Sequence, residues 1–433
     1  MMKRVFLFVI LGSMSVASST LAQSAQIPEK LTLADALRLA AERNPVFAAA
    51  RNAVEIAEAQ RIDAGLRPNP AVSVESEGYP LLESQRPSFL NNQELTIRFD
   101  QEIETARRRS LRTRAAVAGI DVAGLELQDR LRQLELEVRR TYFQAVLAKA
   151  DRDVARATLD EIDRVITLSR ARLAQGETSG AELRRLQVER LRFIDDMFAA
   201  ELALRNARSS LLALLNAPDL SRAVDVVEPR AAPPGSGPVM GAAATAAPLD
   251  PAALGRQAVA NRPDLVAARR DVQRADTETR LQRALRTPNV TVGGGYRRAF
   301  GTNAVVFGVT IPLPIANRNQ GGVARAEAER RLAANRLAAT EVAVQLDVQQ
   351  AVNAVDVNRT RVEYIEREVL KNARESRDIV LASYRLGAAD LIDFLDAQRA
   401  FRDTLRTYNR ALFDERISLF QLEAALGGPG ERQ

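Results

Sequence analysis

Residues 145–176, AVLAKADRDVARATLDEIDRVITLSRARLAQG, decide how this chain folds. Ala145, Arg152, Leu159, Ile166 and Leu173 recur every seven residues, and Ala148, Ala155, Ile162 and Ser169 form a second such series beside them. Two interleaved heptad series make a coiled-coil seam. No proline interrupts the sequence from Thr105 to Gln175. The helix predicted there is therefore about 70 residues and about 105 Å long, well beyond the ordinary globular range. Gly176 then turns the chain, because glycine adopts the left-handed conformation in which helices reverse, and a return helix runs to about Leu215.

The same pattern occurs again. Val348, Val355, Val362, Val369, Ser376 and Ser383, interleaved with Ile365, Ile379 and Leu386, repeat the seam, and Gly387 repeats the turn before a helix to about Leu426. Ala36 to Arg51, ALRLAAERNPVFAAAR, aligns with Leu254 to Arg269, LGRQAVANRPDLVAAR, and Gly176 and Gln187 align with Gly387 and Gln398. One large unit duplicated in tandem is the expectation: residues 23–229 and 252–433, joined by a linker at 230–251 rich in Pro, Gly, Ala and Ser. Within each unit a short helix precedes an Asn-Pro or Arg-Pro step and a second helix, which in the first copy runs from Pro45 to about Leu66 and is positioned to stack end to end with the return helix.

Between the second helix and the long one lies a β-hairpin. Leu95, Ile97 and Phe99 alternate with Thr96, Arg98 and Asp100, and Val305, Phe307, Val309, Ile311 and Leu313 recur at every second position in the second copy. Strands are predicted at about 71–79 and 93–103, and at about 289–298 and 304–315, the partner strands being blurred by Glu75, Glu77 and Gly293 to Gly295. The fold class is thus mainly α with a small β part. Four strands cannot close a membrane barrel, so their survival in lipid requires several chains.

Composition excludes several chemistries. The 433 residues contain no histidine, cysteine or tryptophan, so no imidazole base, thiolate nucleophile, zinc finger or disulfide framework exists. Neither enzymatic activity nor a cofactor is expected. A net charge of +6, with 61 basic against 55 acidic residues, is too balanced for a nucleic-acid footprint. Residues 1–22 read as a cleaved secretory signal: Lys3 and Arg4, an apolar stretch from Val5, and small residues before Gln23. No cysteine is present to be lipidated, and no later run is apolar enough for a spanning helix. On these grounds alone the chain is either exported to a membrane in which several chains contribute to one barrel or a soluble coiled-coil adaptor or scaffold whose short sheets are capped by protein.

The order of these elements resembles the TolC-like outer-membrane efflux family, with Leu31-Thr32-Leu33-Ala34-Asp35-Ala36 at its head and Leu391-Ile392-Asp393-Phe394-Leu395-Asp396-Ala397-Gln398 after the second glycine turn. Pro68-Asn69-Pro70 and Ile311-Pro312-Leu313-Pro314-Ile315-Ala316-Asn317-Arg318-Asn319-Gln320-Gly321 are similar to the branch serving heavy-metal efflux pumps of the cobalt–zinc–cadmium type, with a departure at Ile315-Ala316-Asn317. The resemblance implies a homotrimer whose hairpins form a twelve-stranded barrel in outer-membrane lipid, continuous with a periplasmic tube of twelve helices. It also implies partners: a periplasmic adaptor and a proton-driven inner-membrane pump. The cargo is either metal cations or drugs, organic molecules and polypeptides.

Candidate site residues follow. Asp390, Asp393 and Asp396 share one helix face just after Gly387, and the resemblance implies that they line the periplasmic aperture, where a ring of carboxylates attracts cations. The same spacing is equally what a helix N-terminus favours through its dipole. The matching positions in the first copy are Glu182 and Arg185. Gly176, Glu177 and Thr178, with Leu386, Gly387 and Ala388, form the two turns and are expected to meet the adaptor. Thr96, Arg98, Asp100 and Glu102 are expected to face the barrel lumen as a hydrated wall, while Leu95, Ile97 and Phe99 face lipid.

Overall fold

The structure is a computed structural model that describes residues 27–78, 94–227, 249–299 and 301–428. The predicted signal segment, the predicted first hairpin loop and most of the predicted linker lie outside the described residues.

The chain starts with β1 (Lys30–Leu31), α1 (Leu33–Arg43) and α2 (Pro45–Gly65), continues through β2 (Ala71–Glu77) and β3 (Glu94–Ile103), and then enters α3 (Arg108–Ala174), a single helix of 67 residues. α4 (Gly180–Leu214) returns from the turn and β4 (Asp225–Val226) follows. The order then repeats: α5 (Pro251–Asn261), α6 (Pro263–Ala284), β5 (Val290–Ala299), β6 (Thr302–Thr310), α7 (Gln320–Tyr364), a π-helical segment Ile365–Leu370, α8 (Lys371–Arg385) and α9 (Leu391–Ala425).

Two predicted boundaries move. The last strand ends at Thr310 and not near residue 315, because Pro312 and Pro314 have no amide hydrogen to extend a ladder. The linker ends earlier than 251: Asp250 caps α5, its side chain accepting a bond from the Ala252 amide at 3.0 Å, and Pro251 occupies the first helical turn. The pair β1–β4 escapes sequence reading altogether, since a two-residue parallel ladder shows no periodicity. Tyr142 on α3 secures it with its single hydroxyl proton placed between the carbonyls of Leu31 and Val227, and Lys149 pairs with Asp225 at 2.6 Å.

Short helices meet long ones end to end. Asn44 performs both halves of the first splice: its Oδ1 accepts from the Val46 and Phe47 amides at the start of α2, while its Nδ2 donates 3.0 Å to the Leu214 carbonyl at the end of α4. Orphan groups of two helix termini are satisfied by one buried side chain. At the second splice Arg262 precedes α6, and its guanidinium, 6 % exposed, holds Asp264 and Asp347 at 2.7 Å each. Gly427 packs so close to Asn261 that a side chain there would meet its backbone at 3.1 Å.

The heptad reading holds for one series and holds in part for the other. Ala148, Ala155, Ile162 and Ser169 are all buried; of the other series Ala145 and Ile166 are buried, Arg152 and Leu159 are half-buried and Leu173 is exposed, with Thr158 and Val165 buried beside them. A helix of 3.6 residues per turn slips against a seven-residue repeat by about 20° per heptad. In the second copy Val348, Val355, Val362 and Ile365 are buried, but beyond the π-helical segment Ser376, Ile379 and Leu386 are exposed and Leu381 and Tyr384 take the core. The wider π turn spends extra residues, so the face below it is moved along the sequence.

The four long strands form one antiparallel sheet in the order β2-β3-β5-β6. Val72, Val74, Ile97, Phe99, Tyr296, Val305, Phe307 and Val309 share one face by register, and that face is bare; Phe307 is 86 % exposed. No helix among the described residues is long and apolar enough to cross a membrane.

Candidate functional site: the helical tip and the sheet wall

Both turns at the far end of the long helices close alike. Gly176 (φ 77°) and Gly387 (φ 75°) take left-handed conformations, and the amides of Glu177 and Ala388 return to the carbonyls of Arg172 (2.9 Å) and Ser383 (2.8 Å). These are Schellman closures, which need a residue free of Cβ strain at the turn. The Arg172 guanidinium lies against the Gly387 turn, 2.9 Å from where a Cβ would be, but the left-handed backbone is what calls for glycine. Leu386 projects from the second turn with 85 % of its surface exposed. Gly176, Glu177, Gly387 and Ala388 are exposed beside it. Thr178 is half-buried and donates 2.5 Å to Glu182.

Asp390, Asp393 and Asp396 are all exposed, while Leu391, Phe394 and Leu395 between them are buried. The alternation leaves one face of the first turns of α9 acidic and open. Asp390 occupies the cap position without a side-chain capping bond, so capping does not account for its carboxylate. Asp396 pairs with Arg399 at 3.1 Å, which also reaches Glu189 on α4.

Behind this face the two hairpins are bound together. Tyr384 of α8 stacks on Phe394 with ring centroids 5.4 Å apart; its hydroxyl lies 3.1 Å from Ser169 Oγ and donates 3.0 Å to Glu182 Oε1. Arg172 donates 3.2 Å to the Tyr384 carbonyl, Arg385 pairs with Glu161 at 3.0 Å, and Arg402 bridges to Asp196. Burial pushes the Tyr384 phenol up; the Ser169 bond opposes this and Glu182 adds to it, leaving the phenol above its ordinary value and protonated at neutral pH. An apolar cluster from both hairpins surrounds the network: Ile162, Val165, Ile166, Leu186, Phe193 and Leu381 with the aromatic pair. Glu182, matched in sequence to Asp393, instead latches Tyr384 across the two hairpins. Tyr384, Ser169 and Arg172 escape the sequence reading because their contacts span more than 200 residues and Tyr384 lies off the heptad series.

At the opposite end, Thr96, Arg98, Asp100 and Glu102 lie on the face of the sheet opposite Ile97 and Phe99. Their charges are partnered: Arg98 with Asp100 at 3.2 Å, Glu102 with Asn289 at 2.6 Å, and at the strand ends Glu94 with Arg297 and Glu104 with Arg112. Among the described residues no three carboxylates converge as metal ligands.

The model for the outer membrane efflux protein family matches residues 36–217 and 254–428. The chain belongs to that family. It is accordingly an outer-membrane protein with a periplasmic extension, from a family of ducts rather than enzymes that work as trimers with an adaptor and an inner-membrane pump. Over 402 residues it is 26 % identical to the cobalt-zinc-cadmium resistance protein CzcC of Cupriavidus metallidurans, covering 89 % of this chain and 90 % of that one. It is 24 % identical over 342 residues to the pyoverdine export outer membrane protein OpmQ of Pseudomonas putida, covering 72 % and 66 %. Its fold matches the Campylobacter jejuni CmeC outer membrane channel with a TM-score of 0.76 at 15 % identity, over 93 % of this chain and 86 % of that one. The efflux family expected from the sequence is therefore the right one, and the soluble scaffold is set aside.

Proposed function

We propose that this efflux protein is the outer-membrane exit duct of a tripartite pump that exports heavy-metal cations. The observation that carries the cargo is the nearly end-to-end match to a cobalt-zinc-cadmium resistance protein, against a shorter match to a pyoverdine exporter. Three chains close the barrel: each supplies four strands with a bare apolar face, and the free edges of β2 and β6 join neighbouring copies. Exposed stripes on α4 (Val188, Leu191, Phe198, Leu202) and on α7 and α8 (Val357, Tyr364, Ile379) supply the helix contacts between copies.

In the trimer Asp390, Asp393 and Asp396 ring the periplasmic aperture. A ring of carboxylates concentrates divalent cations without binding them tightly enough to stall exit. Gly176, Glu177, Thr178, Leu386, Gly387 and Ala388 form the knobs on which the adaptor docks, with Leu386 as the apolar anchor. The chain provides a passage, and metal selection and energy belong to its partners.

Deleting the gene and challenging cells with zinc, cobalt, cadmium, nickel and copper beside dyes and antibiotics tests the cargo. Loss of metal tolerance alone is expected. Unchanged metal tolerance with lost drug tolerance would replace metals by organic cargo.

A further inference from the structure

The glycines that blur the β5 pattern are placed under two charged side chains. Asp100 of β3 stands opposite Gly293 of β5, which stands opposite Gly308 of β6; Arg98 stands opposite Gly295. A Cβ on Gly293 would fall 1.7 Å from Asp100 Oδ1, one on Gly308 would fall 2.9 Å from an Arg98 terminal nitrogen, and one on Gly295 would fall 2.1 Å from the Ile97 carbonyl oxygen. Arg98 thus extends across β5 to β6, flat on the sheet, while its guanidinium holds Asp100 at 3.2 Å. An arginine standing upright from the same position would project into the lumen, and three copies would make a cationic constriction.

From this arrangement we infer that Gly293 and Gly308 form a floor that keeps the Arg98–Asp100 pair against the barrel wall, and that this positioning sets both the bore and the charge preference of the barrel. Resting on the reading of this face as the lumen, the device has a direct consequence for cation exit. Arg98 is neutralised by Asp100 and withdrawn from the path, so the remaining luminal acids determine the field a cation meets. Gly293→Ala should act through Asp100, since the new methyl occupies the space of its carboxylate and separates it from Arg98. Gly308→Leu should act on Arg98 directly by lifting the guanidinium from the wall.

The test is the reversal potential and unitary conductance of the purified full-length trimer in planar bilayers under a KCl gradient. Asp100→Asn and Gly293→Ala should both shift the reversal potential toward chloride, and Gly308→Leu should lower the conductance. Adding Arg98→Gln to Asp100→Asn should abolish the shift, because the uncompensated cation is then gone, and adding it to Gly293→Ala should carry the potential past wild type toward cations, because Asp100 is then the unpaired charge. Unshifted potentials, or a shift toward chloride that persists with Arg98→Gln, would overturn the inference while leaving a conducting channel. A wild-type protein that does not conduct would instead remove the channel reading. Recovery of trimer from the outer membrane checks assembly. If Gly293→Ala does not assemble, Asp100→Asn with and without Arg98→Gln decides the question alone.

Discussion

At the scale of single residues, Arg262 carries an unusual load. Its buried guanidinium holds two carboxylates where α9 meets α6, so Arg262→Met leaves Asp264 and Asp347 without their cation. The carboxylates left behind are partly exposed, so the loss is that of charge-assisted hydrogen bonds, about 1.5–3 kcal/mol, and a lower thermal midpoint of the purified trimer is the expected result. Burial pushes the Asp264 carboxyl up, but the bond to Arg262 and its charge outweigh it, leaving the group below its ordinary value. The stabilisation is therefore present above the ordinary carboxylate range and is lost as pH falls through the lowered folded value. Acid titration of wild type should show this loss, and Arg262→Met should show less of it. Tyr384 makes a second prediction. Tyr384→Phe keeps the stacking on Phe394 but deletes the bonds to Ser169 and Glu182, so the tip should loosen and the resting conductance in bilayers should rise. An equal effect of Glu182→Gln would trace it to the same network. The aspartates were legible in the sequence because a three-residue spacing after a glycine turn suffices to put them on one face. The latch was not, because a contact between α3 and α8 leaves no local signature.

At the scale of elements, the seams show where sequence periodicity stops being a guide. Ala148, Ala155, Ile162 and Ser169 lie in the core as their spacing predicts, since residues at every seventh position return to the same helix face. The second copy follows its series as far as Ile365, and the π-helical segment then displaces it. Nothing in IEREVL distinguishes that turn from ordinary helix, so the displacement had no signal. It makes a prediction of its own. Deleting Glu368 and closing the segment to regular helix removes the extra residue that the π turn absorbs, so everything below should keep its facing and Tyr384 should stay in the core. The deletion should therefore leave resting conductance and thermal stability near those of wild type, whereas deleting a residue from regular helix below it, such as Glu375, rotates the tip by about 100° and should raise the resting conductance as Tyr384→Phe does. A Glu368 deletion that conducts more at rest or melts lower would show that the π turn does more than set the register. The strands were legible through their alternation, and the prolines at 312 and 314 explain why the last one stops short.

At the scale of the whole molecule, a single chain is incomplete. A sheet with one bare apolar face and two unpaired edges, together with rods bearing exposed aliphatic stripes, has a stable environment only in lipid and beside copies of itself. The missing histidine and cysteine fit such a part, because a passive duct needs weak, hydrated, carboxylate-lined surfaces and not tight ligands. Adaptor docking is tested at this scale too: Leu386→Asp places a charge on the exposed knob and should abolish metal tolerance in cells while leaving the isolated channel's conductance intact. The most direct test of the account is planar-bilayer recording of the purified trimer with a multivalent cation added to one side at a time. Block from the helical-tip side alone, relieved in the double variant Asp393→Ala/Asp396→Ala, is the predicted result; equal block from both sides, or block undiminished in that variant, would contradict an acidic aperture at the tip.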